Sequence, residues 1–177
     1  SKESYRPFMQ RPLPRLDDAD DLSEAIQIIE SGDGVLKDQQ RALIGAGGSM
    51  GGAKPKAVIL INGFEWVLKF SNGEPFDQPL VEHASMTLAR KAGLNVAETQ
   101  LVKLKTENAL AVKRFDREAG ARVHCVSACT LLRSEVPSTI DPEFGYPQLA
   151  RALRKQADIT TLNSQLHELF RRMIFNI

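Results

Sequence analysis

The sequence predicts an α+β fold in which an antiparallel sheet with a flanking helix is followed by a helical segment. Two stretches flank turn-forming residues with strand-like segments: the apolar run 57–61 and the alternating 64–70 about Asn62-Gly63, and 99–115 about Thr106-Glu107-Asn108. Each reads as a hairpin, so the sheet has at least four strands. Between them, residues 80–93 repeat at helical spacing. The chain then closes with Leu162, Leu166, Leu169, Phe170, Met173, Ile174 and Ile177, a strongly amphipathic helical pattern.

The bulk properties suit this class. With 177 residues, 42% of them hydrophobic, the chain can bury a core as one domain or as one lobe of a larger protein. A net charge of +1 supplies no general attraction to nucleic acid or to an anionic membrane, so direct nucleic-acid binding is not indicated. No apolar run reaches the length of a membrane span, and the charged start 1–7 lacks a signal-peptide core, which predicts no membrane association and a cytoplasmic location. Cys125 and Cys129 lie in an apolar segment with His124, a spacing that suits neither a disulfide framework nor a four-ligand zinc site. They read as reduced packing residues, and no metal site is expected.

In chain order, residues 1–44 form a proline-bearing lead-in and a helix. Asp20 or Asp21 can cap that helix; Leu22, Ala25, Ile26 and Ile29 share a face, and Gly32 ends it. A further helical turn falls within 35–44. In the second strand of the first hairpin, alternation places Phe64, Trp66, Leu68 and Phe70 on one face and Glu65, Val67 and Lys69 on the other. Lys69 therefore leaves the aromatic face. The helix 80–93 has Val81, Ala84 and Leu88 as its apolar stripe, Arg90 and Lys91 at its C-terminal end, and Gly93 as its stop. Glu82 falls in its first turn, where the helix dipole alone would favour a carboxylate. A helix is expected over 123–132, a loop over 137–147 and a short helix over 149–156.

The chemistry concentrates at 45–56, where five of the 12 glycines, Ser49, Lys54 and Lys56 share one loop. Glycines let backbone N–H groups converge on an anion, and the lysines add charge. Because the loop feeds a strand, it fits neither a Walker loop nor a dinucleotide fingerprint. A glycine-rich loop, a hairpin lysine and then a helix with an early glutamate is the layout of a protein-kinase small lobe, occupying 45–117, with 118–177 as the start of a helical large lobe. A nucleotide-binding or protein-interaction module without phosphotransfer is the alternative.

These residues together resemble the HipA family of bacterial serine/threonine kinases, the toxin half of a toxin–antitoxin pair. The resemblance rests on residues 48–56, 66–70, 81–84 through 92–93, 114–117 and 169–172 through Asn176. It implies ATP and Mg²⁺ as cofactors. It also implies that Gly51, Gly52, Ala53, Lys54, Pro55 and Lys56 cover the phosphates, that Lys69 binds them and that Glu82 pairs with Lys69. Lys113, Arg114 and Phe115 would contact adenine, Asp116 the ribose, and Ser49 would be autophosphorylated. The implied partners are a protein substrate, in some members an aminoacyl-tRNA synthetase, and a DNA-binding antitoxin of the HipB type. No catalytic residue is assigned within the chain. The family's catalytic Asp and its metal-binding Asp are expected beyond Ile177, and the chain as given is expected to be inactive.

Overall fold

The computed structural model describes residues 12–32, 34–47, 55–71, 73–118, 121–134 and 144–176. The chain forms two compact units, one of Ser1–Thr87 with Ala97–Phe115 and one of Leu88–Val96 with Asp116–Ile177.

The first unit is built on a four-stranded antiparallel sheet in the order β1-β2-β4-β3, with β1 Lys56–Ile61, β2 Phe64–Lys69, β3 Thr99–Lys103 and β4 Asn108–Lys113. Asn62 (φ 51°) and Gly63 (φ 81°) both take positive φ between β1 and β2, the geometry a two-residue hairpin of right-handed twist requires. That turn sets the register Ile61↔Phe64 through Lys56↔Lys69. One sheet face buries Ala57, Ile59, Ile61, Trp66, Leu68, Ala109 and Ala111 in a single cluster with Ala19 and Leu22. Phe64, assigned by alternation to the same face, is exposed. It stands at the turn, where Lys113 rather than the core covers its ring.

Two N-terminal helices supply the other side of that core. Helix α1, Ala19–Ser31, buries Leu22 and Ala25, while Ile29 at its far end is exposed. Gly32 ends α1 in the left-handed conformation, its N–H donating to the Ile28 carbonyl. Helix α2 spans Asp38–Gly47 and packs on α1 and β1. Gln40, almost wholly buried, accepts from the Lys37 N–H (3.0 Å) and donates to Glu24 (2.9 Å), so its amide is satisfied. The lead-in covers the β1 edge, with Leu60 N–H donating to the Pro14 carbonyl at 2.8 Å.

Helix α3, Gln78–Lys91, starts two residues earlier than its periodicity suggests. Asp77 accepts from the Leu80 N–H at 3.0 Å, and Pro79 sits in the first turn, both ordinary helix-start features. Glu82 therefore lies beyond the first turn, and the dipole no longer accounts for it. The orientation of α3 also differs from expectation: Val81, Ala84 and Leu88 face outward, while Pro79 and Ala89 are buried and Glu82, His83 and Met86 are half-buried. Gly93, at φ 78°, ends the helix region as expected.

In the second unit, Arg117–Glu118 and Ala121–Arg122 form the short pair β5 and β6. The helix anticipated over 123–132 is shorter and later, α4 at Ala128–Ser134. Residues 123–127 carry no regular structure, and Cys125 there and Cys129 in α4 are both exposed rather than packed. Helices α5, Tyr146–Gln156, and α6, Ile159–Phe175, pack against each other. The expected loop at 137–147 lies mostly outside the described residues, and α5 already begins at Tyr146. Asp158 caps α6, accepting from the backbone N–H of Thr160 (2.8 Å) and from its hydroxyl (2.7 Å), and these bonds hold its carboxyl below the ordinary value of 3.8. The guanidiniums of Arg171 and Arg172 donate to the carbonyls of Ala92 and Asn95, tying α6 to the turn after α3. Among the described residues no helix is long and apolar enough to cross a membrane.

Candidate functional site

The sheet face opposite the aromatic core carries Val58 and Leu60 of β1, Glu65, Val67 and Lys69 of β2, Leu110 and Val112 of β4, and Thr99 and Leu101 of β3. Alternation makes this inevitable once Trp66 and Leu68 are inside. Its middle is apolar, and its charge lies at the edges. Lys69 stands directly opposite Lys56 in the hairpin register, and Pro55 accepts from the Phe70 N–H at 3.2 Å. The exit of the glycine loop is thereby fixed beside Lys69.

Two side chains of α3 meet this face. Glu82 Oε1 lies 2.5 Å from Lys69 Nζ, both groups about one-third exposed. His83 Nδ1 lies 3.0 Å from the hydroxyl of Thr99. Half-exposed pairs of this kind contribute little to stability, about 0–1 kcal/mol. The Lys69–Glu82 pair thus serves position: one carboxylate holds one ammonium at the border of an apolar surface, next to a second lysine. Like charges directly opposite on one face repel, and the carboxylate of Glu82 offsets that repulsion at Lys69. The site thus sets two ammonium groups beside a face that carries valine and leucine side chains.

Ser49, Gly51, Gly52, Ala53 and Lys54 lie outside the described residues. The side chain of Lys113 turns to the core face, 4.3 Å above the Phe64 ring and 5.9 Å from the Trp66 ring, and pairs with Glu98 at 3.1 Å. Arg114 pairs with Glu65 at 3.2 Å, and its N–H donates to the Glu65 carbonyl. Phe115 is 75% exposed. Asp116 belongs to the second unit and is held by Arg117 at 2.7 Å. Among the described residues no three His, Cys, Asp or Glu side chains gather as a metal site.

Sequence reasoning missed Asp77, Asn108, His83 and Thr99. Asp77 had a signal, an acceptor two residues before a proline at a helix start. The others carry none, because their partners are 16 to 31 residues away in the chain.

Comparison with known proteins agrees with this architecture. The family described as the HipA-like C-terminal domain matches residues 48–177. The serine/threonine-protein kinase toxin HipA of Shewanella oneidensis is 28% identical over 133 residues, covering 66% of this chain and 30% of the toxin. Among solved structures, HipA of Shewanella oneidensis MR-1, in complex with HipB and operator DNA, superposes with a TM-score of 0.59 at 21% identity, covering 99% of this chain and 45% of that one. The Helicobacter pylori proinflammatory kinase CtkA superposes with a TM-score of 0.51 at 20% identity, over 65% of this chain and 40% of its own. The chain spans less than half the length of each of these relatives. The fold is the α+β arrangement of these kinases, an antiparallel small-lobe sheet with a flanking helix followed by further helices.

Proposed function

The chain belongs to the HipA-like C-terminal domain family, and from that membership we propose that it forms the nucleotide-binding part of a serine/threonine protein kinase that transfers the ATP γ-phosphate to a protein hydroxyl. The observation that carries this reading is the Lys69–Glu82 pair at 2.5 Å, at the edge of an apolar sheet face and beside the exit of the glycine loop. Phosphoryl transfer asks a protein mainly for positioning and charge neutralisation, and a lysine locked by a helix glutamate provides both for the phosphates.

In this reading Lys69 and Lys56 meet the phosphates. Val67 and Val112, which are partly exposed, offer the surface for the ring, and the backbone at 113–115 meets the adenine edge. The loop 51–54 covers the phosphates, with Ser49 as the site of autophosphorylation. Mg²⁺, when bound, neutralises charge on the phosphates. Its ligands and the residue that orients the attacking hydroxyl come, in this proposal, from the rest of a longer parent chain. The family resemblance extends the proposal to a cytoplasmic toxin restrained by a HipB-type, DNA-binding antitoxin, with a cellular protein such as an aminoacyl-tRNA synthetase as substrate.

The test is a titration of full-length protein with Mg-ATP, followed by a radiolabel transfer assay on protein substrates. Saturable binding that depends on Lys69, together with label on protein, is expected. Binding without transfer would turn the reading into a nucleotide-binding module, and no binding at all would end it.

A further inference from the structure

We infer that Asp77 and Asn108 form a positioning clamp that places Glu82 against Lys69. Asp77 uses both carboxylate oxygens. Oδ1 accepts from the Leu80 N–H at 3.0 Å and so fixes the first turn of α3, while Oδ2 accepts from the side-chain amide of Asn108, the first residue of β4. Two residues along β4, Leu110 lies opposite Lys69 of β2. Lys69 pairs with Glu82, which lies five residues after Asp77 on the helix that Asp77 caps. The contacts form a closed circuit: helix start, strand β4, strand β2, and back to the helix. A circuit of short, directional bonds allows α3 neither to slide nor to turn without breaking one of them.

The strand side of this clamp is itself braced. The turn that delivers Asn108 is held by α1, where Asp20 accepts from the Lys105 N–H at 2.8 Å and Ser23 donates to Glu107 at 2.9 Å. Helix α1 precedes the family-matched segment 48–177. A part of the chain outside that segment thus bears on the placement of Glu82. Asp77 and Asn108 also line an open cavity of about 410 Å³, so exchanging their side chains disturbs no close-packed core. The inward side of α3 carries Glu82 and His83, met by Lys69 and Thr99.

The clamp concerns the same site as the kinase reading and draws its functional meaning from it, so the test has a readout that needs no nucleotide. In full-length protein, the rate at which an amine-acylating reagent modifies Lys69 is followed by peptide mass spectrometry, with exposed Lys37 as internal reference. Asn108→Asp sets two carboxylates against each other and should raise Lys69 modification relative to Lys37 by about fivefold or more, within the usual range of coupling between contacting residues. Asn108→Ala, which removes the donor without adding charge, should act in the same direction and serves if the charged variant does not fold. Adding Asp77→Asn to Asn108→Asp restores a donor and an acceptor in exchanged places, and modification should return to the wild-type rate. A simple loss of packing would not be rescued by that exchange. Unchanged Lys69 modification in the single variants, or a rise that the exchange fails to reverse, overturns the inference. An intact labelling pattern with no Mg-ATP binding would instead sink the kinase reading and leave the clamp standing.

Discussion

Lysines 56 and 69 face each other across a hairpin, and a carboxylate from a different element reaches one of them. That arrangement stabilises the fold little, because both Lys69 and Glu82 remain partly in water. Its use is to keep an ammonium oriented. Lys69→Met should therefore leave the melting temperature nearly unchanged, consistent with a cost within about 1 kcal/mol. It should weaken Mg-ATP binding by about tenfold or more, equivalent to ~1.4 kcal/mol. Lys37→Met, at an exposed lysine with only a 3.9 Å partner, is the control, and calorimetric titration of the two variants decides the matter. Equal affinities would remove Lys69 from the site. Leu110, at 0% exposure on the central strand beside Lys69, behaves in the opposite way. Leu110→Ala should cost about 2–5 kcal/mol of stability, measurable by denaturant unfolding, because truncating a side chain with no exposed surface leaves a cavity.

At the scale of elements, ends are set by single residues with clear physical roles. Gly63 holds the β1–β2 turn at φ 81°, and Gly63→Ala should destabilise by about 1–2 kcal/mol through backbone strain alone, since its added methyl meets no neighbour. A denaturant midpoint shift without a change of slope would register that loss. The start of α6 is pH-sensitive for a different reason. Asp158 accepts two bonds from Thr160, which favour the ionised form and lower its pKa from 3.8. A lowered folded-state value means the cap contributes fully above the unfolded value and fades as pH falls below it. Wild type should thus melt higher than Asp158→Ala at neutral pH, and the gap should close as pH drops below 3.8. Asp158→Asn keeps an acceptor for Thr160 and should show a gap that does not depend on pH. Melting curves from neutral to acid conditions read all three.

At the scale of the molecule, the small-lobe sheet is closed on one side by α1 and α2 and met on the other by α3, so its two faces have different tasks. The core face holds the fold, and the opposite face presents charge at the rim of an apolar surface. The helical unit is less self-contained: no residue of α6 is buried, and Phe170 and Ile174 are more than half exposed. Full-length protein incubated with Mg-ATP should carry phosphate on Ser49, where roughly −1.5 to −2 charge would arrive beside Lys54 and Lys56. On the proposal that the Mg²⁺ ligands and the hydroxyl-orienting residue come from a longer parent chain, residues 1–177 alone should transfer none. Peptide mapping that finds phosphate elsewhere but never on Ser49 would refute the first expectation, and label transfer by the short chain would refute the second.

Local chemistry was legible in the chain itself. Asn62-Gly63 announces a hairpin because few other pairs accept positive φ twice, and Gly32 and Gly93 mark helix ends because a left-handed residue must follow there. Strict alternation sends Lys69 away from Trp66 and Leu68 whatever else the chain does. The rotation of α3 was not legible. Val81, Ala84 and Leu88 form the apolar stripe of that helix, yet they face outward. The sheet face beneath α3 offers Lys69 and Thr99 to Glu82 and His83, partners that lie 13 and 16 residues away in the chain. Nor could the sequence reveal the strand order, the bracing of β3–β4 by α1, or the meeting of Asp77 with Asn108. Those contacts join residues 31 to 85 positions apart, and only the closed tertiary structure brings such partners within a hydrogen bond.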